Sequence, residues 1–323
     1  MSDAIDKTGN LAQAMAHAQQ LLDHDLQQAA LQLEEVLAAV PNHVPAHFLK
    51  AVVLGQQQQG EQAIQALEKV LALDPNHPEA WRLLADHSAA IGDKAASESA
   101  YLRHLQSATG NPNLQQAAAA MIANELPTAE RILKSHLKNA PTDVAAIRML
   151  AEVAVRVGRN DDAQALLEYC LELTPGFAGA RYNLAVLLHR TNKSDDALRE
   201  VDQLLAEEPD RPGYRNLAAV VCSRIGEYER SSRLYQALLE EYPQNAKVWL
   251  SYAHVLKTEG KREACEAAYR GAIDRDERFG EAYWSLANLK TFRFSEQDIS
   301  NMQRQVARED LELSSRVQFH FAL

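Results

Sequence analysis

The chain of 323 residues repeats itself with a period of 34 residues. Four of the five intervals between six regularly placed prolines are 34 residues long, and the fifth, 66, is two periods less two residues. An alanine follows each of these prolines at a distance of ten residues. Such a period indicates an array of one supersecondary unit, in which each unit packs only against its neighbours. The prolines are Pro41, Pro75, Pro141, Pro175, Pro209 and Pro243, and the alanines are Ala51, Ala85, Ala151, Ala185, Ala219 and Ala253, with Ala119 and Ala287 in the same slot where the proline is missing.

Each unit carries two stretches with helical periodicity. In the first, apolar and small residues recur at three- and four-residue steps, as at Trp249, Tyr252 and Ala253. In the second, the step is four and then three, as at Ala163 and Leu167. The unit is therefore predicted to be a helix, a turn, a second helix and a proline break. Residues that adopt the left-handed conformation at low cost recur in the turn, where they end a helix, and they are Gly92, Gly158, Asn192, Gly226 and Gly260.

The period, together with the order of a large residue, Leu-Ala, Ala, an aromatic residue or Leu, and Pro, resembles the tetratricopeptide repeat (TPR). The resemblance implies an all-α fold, a right-handed TPR solenoid of about eight helix-turn-helix repeats over residues 10–279, with a lone first helix near 280–291. We assign residues 1–291 to the solenoid and residues 292–323 to capping or linker helices that lead to a catalytic domain absent from this chain. The copy at 112–141 diverges most, because it lacks a proline at Thr109 and is expected to lose two residues in its turn, near Asn124–Pro127, which would allow a local kink.

Composition narrows the classes of partner. The formal charge of −11 opposes non-specific binding of nucleic acid, which requires Lys and Arg to neutralise phosphates. The sequence has no apolar run of bilayer-spanning length and no apolar segment behind a basic start, so we expect a cytoplasmic protein that does not bind membranes. Three cysteines fall in slots that other copies fill with Ala, Leu or Ser, which predicts small core residues and neither disulfides nor metal ligands. They are Cys170, Cys222 and Cys265.

No catalytic or metal-binding constellation is predicted in residues 1–323. His43 and His47 are four residues apart, but a proline separates them and no acidic or cysteine ligand set accompanies them. The Gly-Lys pair at 260–261 has no glycine in the five preceding residues and cannot form a phosphate-binding loop. Ser97 and Ser231 occupy the small slot of a second helix, where packing explains them. We therefore expect neither enzyme activity nor a cofactor from the residues present.

An array of this kind offers a concave groove to a protein or an extended peptide, lined by residues one position beyond the core stripe of each first helix. The predicted wall mixes charged and apolar side chains. Pairing within one helix competes with ligand binding, because Arg82 and Asp86, like Arg148 and Glu152, are four residues apart. The groove candidates are Arg148, Glu152, Arg156, Tyr182, Asn183, Val186, His189, Arg190, Asn216, Val220, Arg224, His254, Lys257, Trp284 and Asn288, and the same wall includes Arg82, Asp86 and Leu250.

Three of these candidates form a ladder, since Arg156, Arg190 and Arg224 repeat 34 residues apart in consecutive copies. Three guanidinium groups in a row could bind an acidic peptide or a phosphate group. Each arginine also falls in the last turn of a predicted helix, where a cation stabilises the helix dipole. Both interpretations stay open from the sequence. Asn183, moreover, occupies a slot that contacts the ligand backbone in related repeats.

The closing segment departs from the 34-residue rhythm. Ser295 and Asp298 are spaced like a capping box at the start of a helix. A further helix is expected from residue 314 or 315, and its apolar positions Val317 and Phe321 would be left uncovered, so the chain is expected to be truncated.

A second resemblance rests on this segment. The run Ala-Tyr-Trp-Ser-Leu-Ala-Asn-Leu-Lys-Thr-Phe-Arg-Phe-Ser at 282–295 and the ending Arg-Val-Gln-Phe-His-Phe-Ala-Leu at 316–323 resemble the junction in bacterial TPR sulfotransferases. In that family the repeats precede an α/β domain that transfers sulfate from PAPS and holds the cofactor with a Pro-x-x-Arg-Ser-Gly-[Thr/Ser]-Thr type of loop. No such loop occurs in residues 1–323, so PAPS is expected only for a missing domain.

The sequence supports two functions and gives weaker support to a third. The chain is interpreted first as the substrate-recognition or assembly arm of a PAPS-dependent sulfotransferase. The alternative is a free-standing cytoplasmic TPR adaptor that brings proteins together. The third possibility, the arm of a protein glycosyltransferase, would require asparagine in the slot of Asn183 in many copies, whereas the chain has it in one of eight.

Overall fold

The computed structural model describes residues 3–22, 24–290 and 292–323. These residues form α-helices connected by short turns, and the all-α fold predicted from the sequence is confirmed. The chain divides into two compact units, residues 1–214 and residues 215–323, and each contains hydrophobic clusters of its own. Among the described residues, no helix combines the length and the apolar character that crossing a bilayer requires.

The first unit is a succession of antiparallel helix pairs, and the second helix of each pair packs against the first helix of the next. The predicted alternation of helix, turn and helix is therefore confirmed over this unit. Its helices are α1 (Asp3–Leu21), α2 (Leu26–Ala39), α3 (Val44–Gln56), α4 (Gly60–Leu73), α5 (Pro78–Ala90), α6 (Lys94–Ala108), α7 (Pro112–Ile122), α8 (Leu126–Asn139), α9 (Val144–Arg156), α10 (Asn160–Leu173), α11 (Ala178–Arg190) and α12 (Ser194–Glu207), and α13 (Pro212–Ile225) crosses the division between the units.

The second unit continues the pairing and ends differently. Its helices are α14 (Tyr228–Glu241), α15 (Ala246–Thr258), α16 (Arg262–Arg275), α17 (Gly280–Ala287), α18 (Glu296–Val306) and α19 (Leu313–Ala322). The last helix packs against α17, and its Phe319 shares one buried cluster with Tyr269 and Tyr283. The predicted boundary after Thr291 lies outside the described residues and stays a prediction. Side chains before and after it, such as Leu286 and Met302, belong to the same cluster.

Local rules account for the turns between paired helices. The five predicted turn residues all have positive φ, between 66° and 92°, which confirms the left-handed conformation expected of them. Gln58 and Asn124 adopt it in two further turns, with φ of 59° and 58°. The prediction that the three cysteines are small core residues is also confirmed, since each of them is buried.

The proline breaks are stabilised by one repeated contact. After four of the six prolines, the side chain six residues further on lies within hydrogen-bond distance of the proline carbonyl, which has no partner in a helix. The ring nitrogens of His47 and Trp81 lie 2.8 Å from that oxygen, the Trp249 nitrogen lies 2.9 Å from it, and a guanidinium nitrogen of Arg181 lies 2.7 Å from it. These four repeats therefore have a side chain with an N–H group at this position, whereas Pro141 is followed there by Ile147, which has none.

The small slot of the second helix has a similar explanation. Ser97 donates a hydrogen bond of 2.8 Å to the carbonyl of Ala85, and Ser231 donates one of 2.7 Å to the carbonyl of Ala219. Both alanines are the small residues of the preceding first helix, so the packing interpretation of these serines is confirmed. His43, in turn, caps the start of α3 by accepting an N–H bond at its Nδ1 atom.

The divergent copy deviates in a different place from the one predicted. The turn after α7 has the same three-residue length as the turn after α5, and the shortening lies in α7, which has 11 residues where α5 has 13. Pro112 starts α7 one period after Pro78 starts α5, and Asn124 ends it two residues early. The expectation that Ala119 fills the small core slot is consequently wrong: it is exposed, and Ala117 is buried instead.

A glycine controls how closely α17 and α19 pack. A Cβ atom added at Gly280 would lie 2.5 Å from the carbonyl oxygen of Ser315 and 3.0 Å from its Cα. Because these are backbone atoms, we expect Gly280→Ala to lower the free energy of unfolding by about 1–3 kcal/mol, as measured by urea denaturation. The matched control is Gly110→Ala, where an added Cβ meets nothing within 4 Å. Equal stability of the two variants would contradict the prediction.

Candidate functional site

A cavity of about 370 Å³ lies within the first unit, among helices that are far apart in the sequence. We call it the Arg148 pocket. Its walls come from α5, α6, α9, the start of α11 and the start of α13, and combine aromatic rings with charged side chains. The lining residues are Arg82, Ala85, Asp86, Ala89, Ser97, Glu98, Tyr101, Leu102, His104, Arg148, Glu152, Arg156, Phe177, Ala178, Gly179, Tyr182, Asn183, Arg211 and Tyr214.

Arg148 is held in the wall by aromatic and amide contacts. Its side chain is on α9 and the residue is only 5% exposed. The guanidinium carbon lies 3.8 Å from the centre of the Tyr101 ring and 5.7 Å from that of Phe177. One terminal nitrogen donates a hydrogen bond of 3.3 Å to the side-chain oxygen of Asn183. Cation–π contacts of this kind fix the plane of the guanidinium group.

The close approach of α11 to this guanidinium favours a residue without a side chain. A Cβ atom at Gly179 would lie 3.1 Å from the Cζ and Nη1 atoms of Arg148. Burial lowers the pKa of Arg148 to about 10, since removal from water disfavours its charged form. No carboxylate among the described residues forms an ion pair with it, and its Nε atom has no hydrogen-bond partner there.

An ion pair closes another side of the pocket. Arg211, which precedes α13, contacts Asp86 of α5 at 2.9 Å across 125 residues of sequence and stacks on Tyr214 at 4.5 Å. Burial raises the pKa of Asp86, and Arg211 partly opposes that shift. Burial also raises the pKa of Tyr214 to about 12, so this phenol stays neutral. The Tyr182 and Tyr214 rings are 5.8 Å apart.

The other two arginines of the pocket also have carboxylate partners. Arg156 lies 3.1 Å from Glu152 and 3.7 Å from Glu98, and Arg82 lies 2.8 Å from Glu79. These contacts differ from the pairing within helices that the sequence left open. Instead of pairing with each other, Arg82 pairs with the residue three positions earlier and Asp86 with Arg211. Likewise, Glu152 pairs with Arg156, while Arg148 stacks on an aromatic ring of α6. Asp86 thus has a partner 125 residues away, whereas Glu152 pairs with a different residue four positions away on its own helix.

The structure brings together seven residues of the predicted groove wall and separates the others. The seven that line the pocket are Arg82, Asp86, Arg148, Glu152, Arg156, Tyr182 and Asn183. Two more on α11, Val186 and His189, are half-buried beyond the lining, and Arg190 is exposed in the last turn. In the second unit, Asn216 and Val220 are half-buried on α13, and the exposed candidates are Arg224, His254, Lys257, Trp284 and Asn288. A role in ligand binding stays a prediction for all of them.

More than half of the pocket lining was not predicted from the sequence. Tyr101 lies on a second helix, Phe177 lies just before a first helix, and Arg211 lies in a connection. The predicted groove wall contained only residues from one face of each first helix. One available signal was Gly179, a glycine inside the first turn of α11 that recurs one period later as Gly213, because a glycine within a helix often has a packing reason.

Several solved structures resemble parts of the chain. YrrB, a TPR protein with an unusual peptide-binding site, is 17% identical, with 57% of this chain and 93% of that chain covered at a TM-score of 0.49. MamA 41-end from Desulfovibrio magneticus RS-1 is 13% identical, covers 51% of this chain and 93% of its own, and has a TM-score of 0.49. Another MamA structure is 18% identical, with 50% and 95% covered and a TM-score of 0.46. No curated protein matches the chain.

Two models of known protein families also match the chain. One tetratricopeptide repeat model matches residues 20–86, 54–122 and 154–221, which together exceed half of the chain. A second tetratricopeptide repeat model matches residues 246–279 in the other unit. These matches coincide with the helix pairs and with the 34-residue period, and the chain belongs to the tetratricopeptide repeat family.

Proposed function

We propose that the protein is a scaffold that binds an extended segment of a partner protein, and that the Arg148 pocket anchors this segment. The observation that carries the proposal is the pocket itself, where aromatic side chains and buried polar groups from five helices meet around one cavity. Sites that bind ligands are typically concave and mostly apolar, with a few placed polar groups. Tyr101 and Phe177 would contact apolar side chains of the segment, and Asn183 and Arg148 would bind its polar groups.

A selection from a displayed library of random peptides tests this proposal. Peptides enriched on the wild-type protein are expected to lose at least tenfold in affinity for a Tyr101→Ala/Phe177→Ala variant, because aromatic anchors commonly dominate binding. The matched control is Tyr169→Ala, which removes an exposed tyrosine of α10 outside the pocket lining. Circular dichroism of each variant checks that the helices are retained. Unchanged affinity in the pocket variant would refute binding at this site.

A second candidate is the recognition or assembly arm of a PAPS-dependent sulfotransferase. It is supported by the likeness of residues 282–295 and 316–323 to the junction of that family, while the matched repeat models end at residue 279. PAPS would then be bound by another domain. The reading frame that encodes the chain tests this candidate: a cofactor loop of the Pro-x-x-Arg-Ser-Gly type downstream would support it, and a stop codon after Leu323 would favour the free-standing adaptor. A cytoplasmic location and the lack of nucleic-acid and membrane partners also remain proposals.

A further inference from the structure

The second helices of two neighbouring repeats, α8 and α10, lie side by side in the first unit. Both pack against α9 and run antiparallel to it, so they point in the same direction. Arg159, which precedes α10, lies 2.7 Å from Glu130 near the start of α8. The two helices begin 34 residues apart, and residues separated by 34 positions therefore lie at the same level of the two helices.

The charge of the exposed side chains changes sign between these two helices. The four side chains concerned are Lys134 and Lys138 on α8 and, 34 residues later, Glu168 and Glu172 on α10, and all four are exposed. Lys138 and Glu172 have no hydrogen-bond or ion-pair partner among the described residues. The next pair of helices lacks the reversal, because Asp202 of α12 has the same sign as Glu168.

Side-chain size changes between the same two helices. Arg131 of α8 corresponds to Ala165 of α10, and Ser135 of α8 corresponds to Tyr169 of α10. Each of these two slots thus has a long side chain on one helix and a short one on the other. Tyr169 is 39% exposed and Leu173, one turn later, is 37% exposed, so α10 presents apolar surface between its charges.

We infer that this face binds a second copy of the chain and forms a two-fold symmetric dimer, with α8 of one protomer against α10 of its partner. A two-fold axis that runs along the helices, between α8 and α10, exchanges the two helices and preserves the level of every slot. Lys138 of each protomer then faces Glu172 of the other. At the neighbouring slots, Ser135 leaves room for Tyr169. A two-fold interface must be complementary to itself, and the reversal of charge and size provides this property.

The same charges exclude the other two-fold arrangement of these faces. An axis perpendicular to the helices would place α8 against α8, and the lysines would repel each other. Exposed ion pairs contribute little individually, so we expect a dimer that dissociates on dilution and weakens with added salt. None of the residues of this face lines the Arg148 pocket. Dimer formation and peptide binding should therefore be independent.

Two charge reversals and their mixture test the dimer. Sedimentation velocity of the full chain at increasing protein concentration and low ionic strength measures the dissociation constant. Lys138→Glu and Glu172→Lys each create two pairs of like charges per dimer, and each should weaken it about tenfold or more. An equimolar mixture of the two variants should form a heterodimer with nearly the wild-type affinity, because both charge pairs are then complementary again. A contact within one chain could not produce this rescue.

Matched controls make the same charge changes on α4. They are Lys69→Glu and Glu68→Lys, at two exposed positions, and both should leave the dissociation constant unchanged. A wild-type chain that stays monomeric at every concentration would overturn the inference and leave this face to a partner of another kind. A dimer that Lys138→Glu does not weaken would overturn it too, as would a mixture that associates no more tightly than its two components. Circular dichroism checks that each variant keeps its helices.

Discussion

Replacing Glu241 by Leu is expected to lower the free energy of unfolding of the second unit by about 3–5 kcal/mol. Glu241, at the end of α14, forms an ion pair with Arg215 of α13, and the two residues are 3% and 8% exposed. The substitution removes the Glu241 carboxylate from a buried guanidinium, which costs more than the lost attraction alone. Urea denaturation followed by circular dichroism measures the change.

A double variant separates this charge effect from a loss of packing. In Arg215→Leu/Glu241→Leu both charges are absent, so most of the lost stability should return, since apolar pairs often replace buried ion pairs without a net cost. Glu240→Leu is the matched control, because this neighbouring glutamate is exposed. A double variant as unstable as the sum of its two single variants would show that the residues are not coupled.

The sequence predicted those parts of the fold that depend on rules within one 34-residue repeat. The 34-residue period located the helix pairs, and the preference of glycine and asparagine for positive φ located the turns. Ser295 and Asp298 were expected as a capping box, and both of its hydrogen bonds are present at the start of α18. Each of these features is decided by residues at most a few positions apart.

The pocket depends instead on how successive repeats of the first unit pack against each other, which the 34-residue period does not specify. Asp86 and Arg211 lie 125 residues apart and still meet at 2.9 Å. Arg148 lines the pocket, and its contact with Tyr101 comes from the second helix of an earlier repeat. Residues at the same position of different repeats can thus have different environments. Arg156 is half-buried, whereas Arg190, one period later, is exposed. Side-chain partners across units are consequently the part that the sequence alone could not give.

The capping box also supports a prediction for the end of the chain. Two terminal nitrogens of Arg270 donate hydrogen bonds of 2.6 and 2.7 Å to the two carboxylate oxygens of Asp298. Ser295 adds an N–H bond of 2.8 Å and a hydroxyl bond of 2.7 Å to one of them. We expect Asp298→Asn to lower the free energy of unfolding by about 2–3 kcal/mol at pH 7, because charged hydrogen bonds contribute roughly that much.

The loss of stability in Asp298→Asn should depend on pH, and the hydrogen bonds of Asp298 determine the direction of this dependence. The Arg270 guanidinium, and then the Ser295 donors, hold the pKa of Asp298 well below its usual range, although burial opposes them. In the unfolded chain this carboxyl titrates near pH 4. Its contribution to stability is therefore complete above about pH 4 and is lost as the pH falls toward the lower pKa of the folded state.

The gap in unfolding free energy between the wild-type protein and Asp298→Asn should accordingly be full at pH 6 and shrink on acidification to pH 3. The matched control is Asp310→Asn, an exposed carboxylate that pairs with Arg308 and Arg278. Solvent screens such pairs, so little change is expected there at any pH. If the gap for Asp298→Asn instead stayed constant between pH 6 and pH 3, the stabilisation would come from the shape of the cap and not from the charge of Asp298.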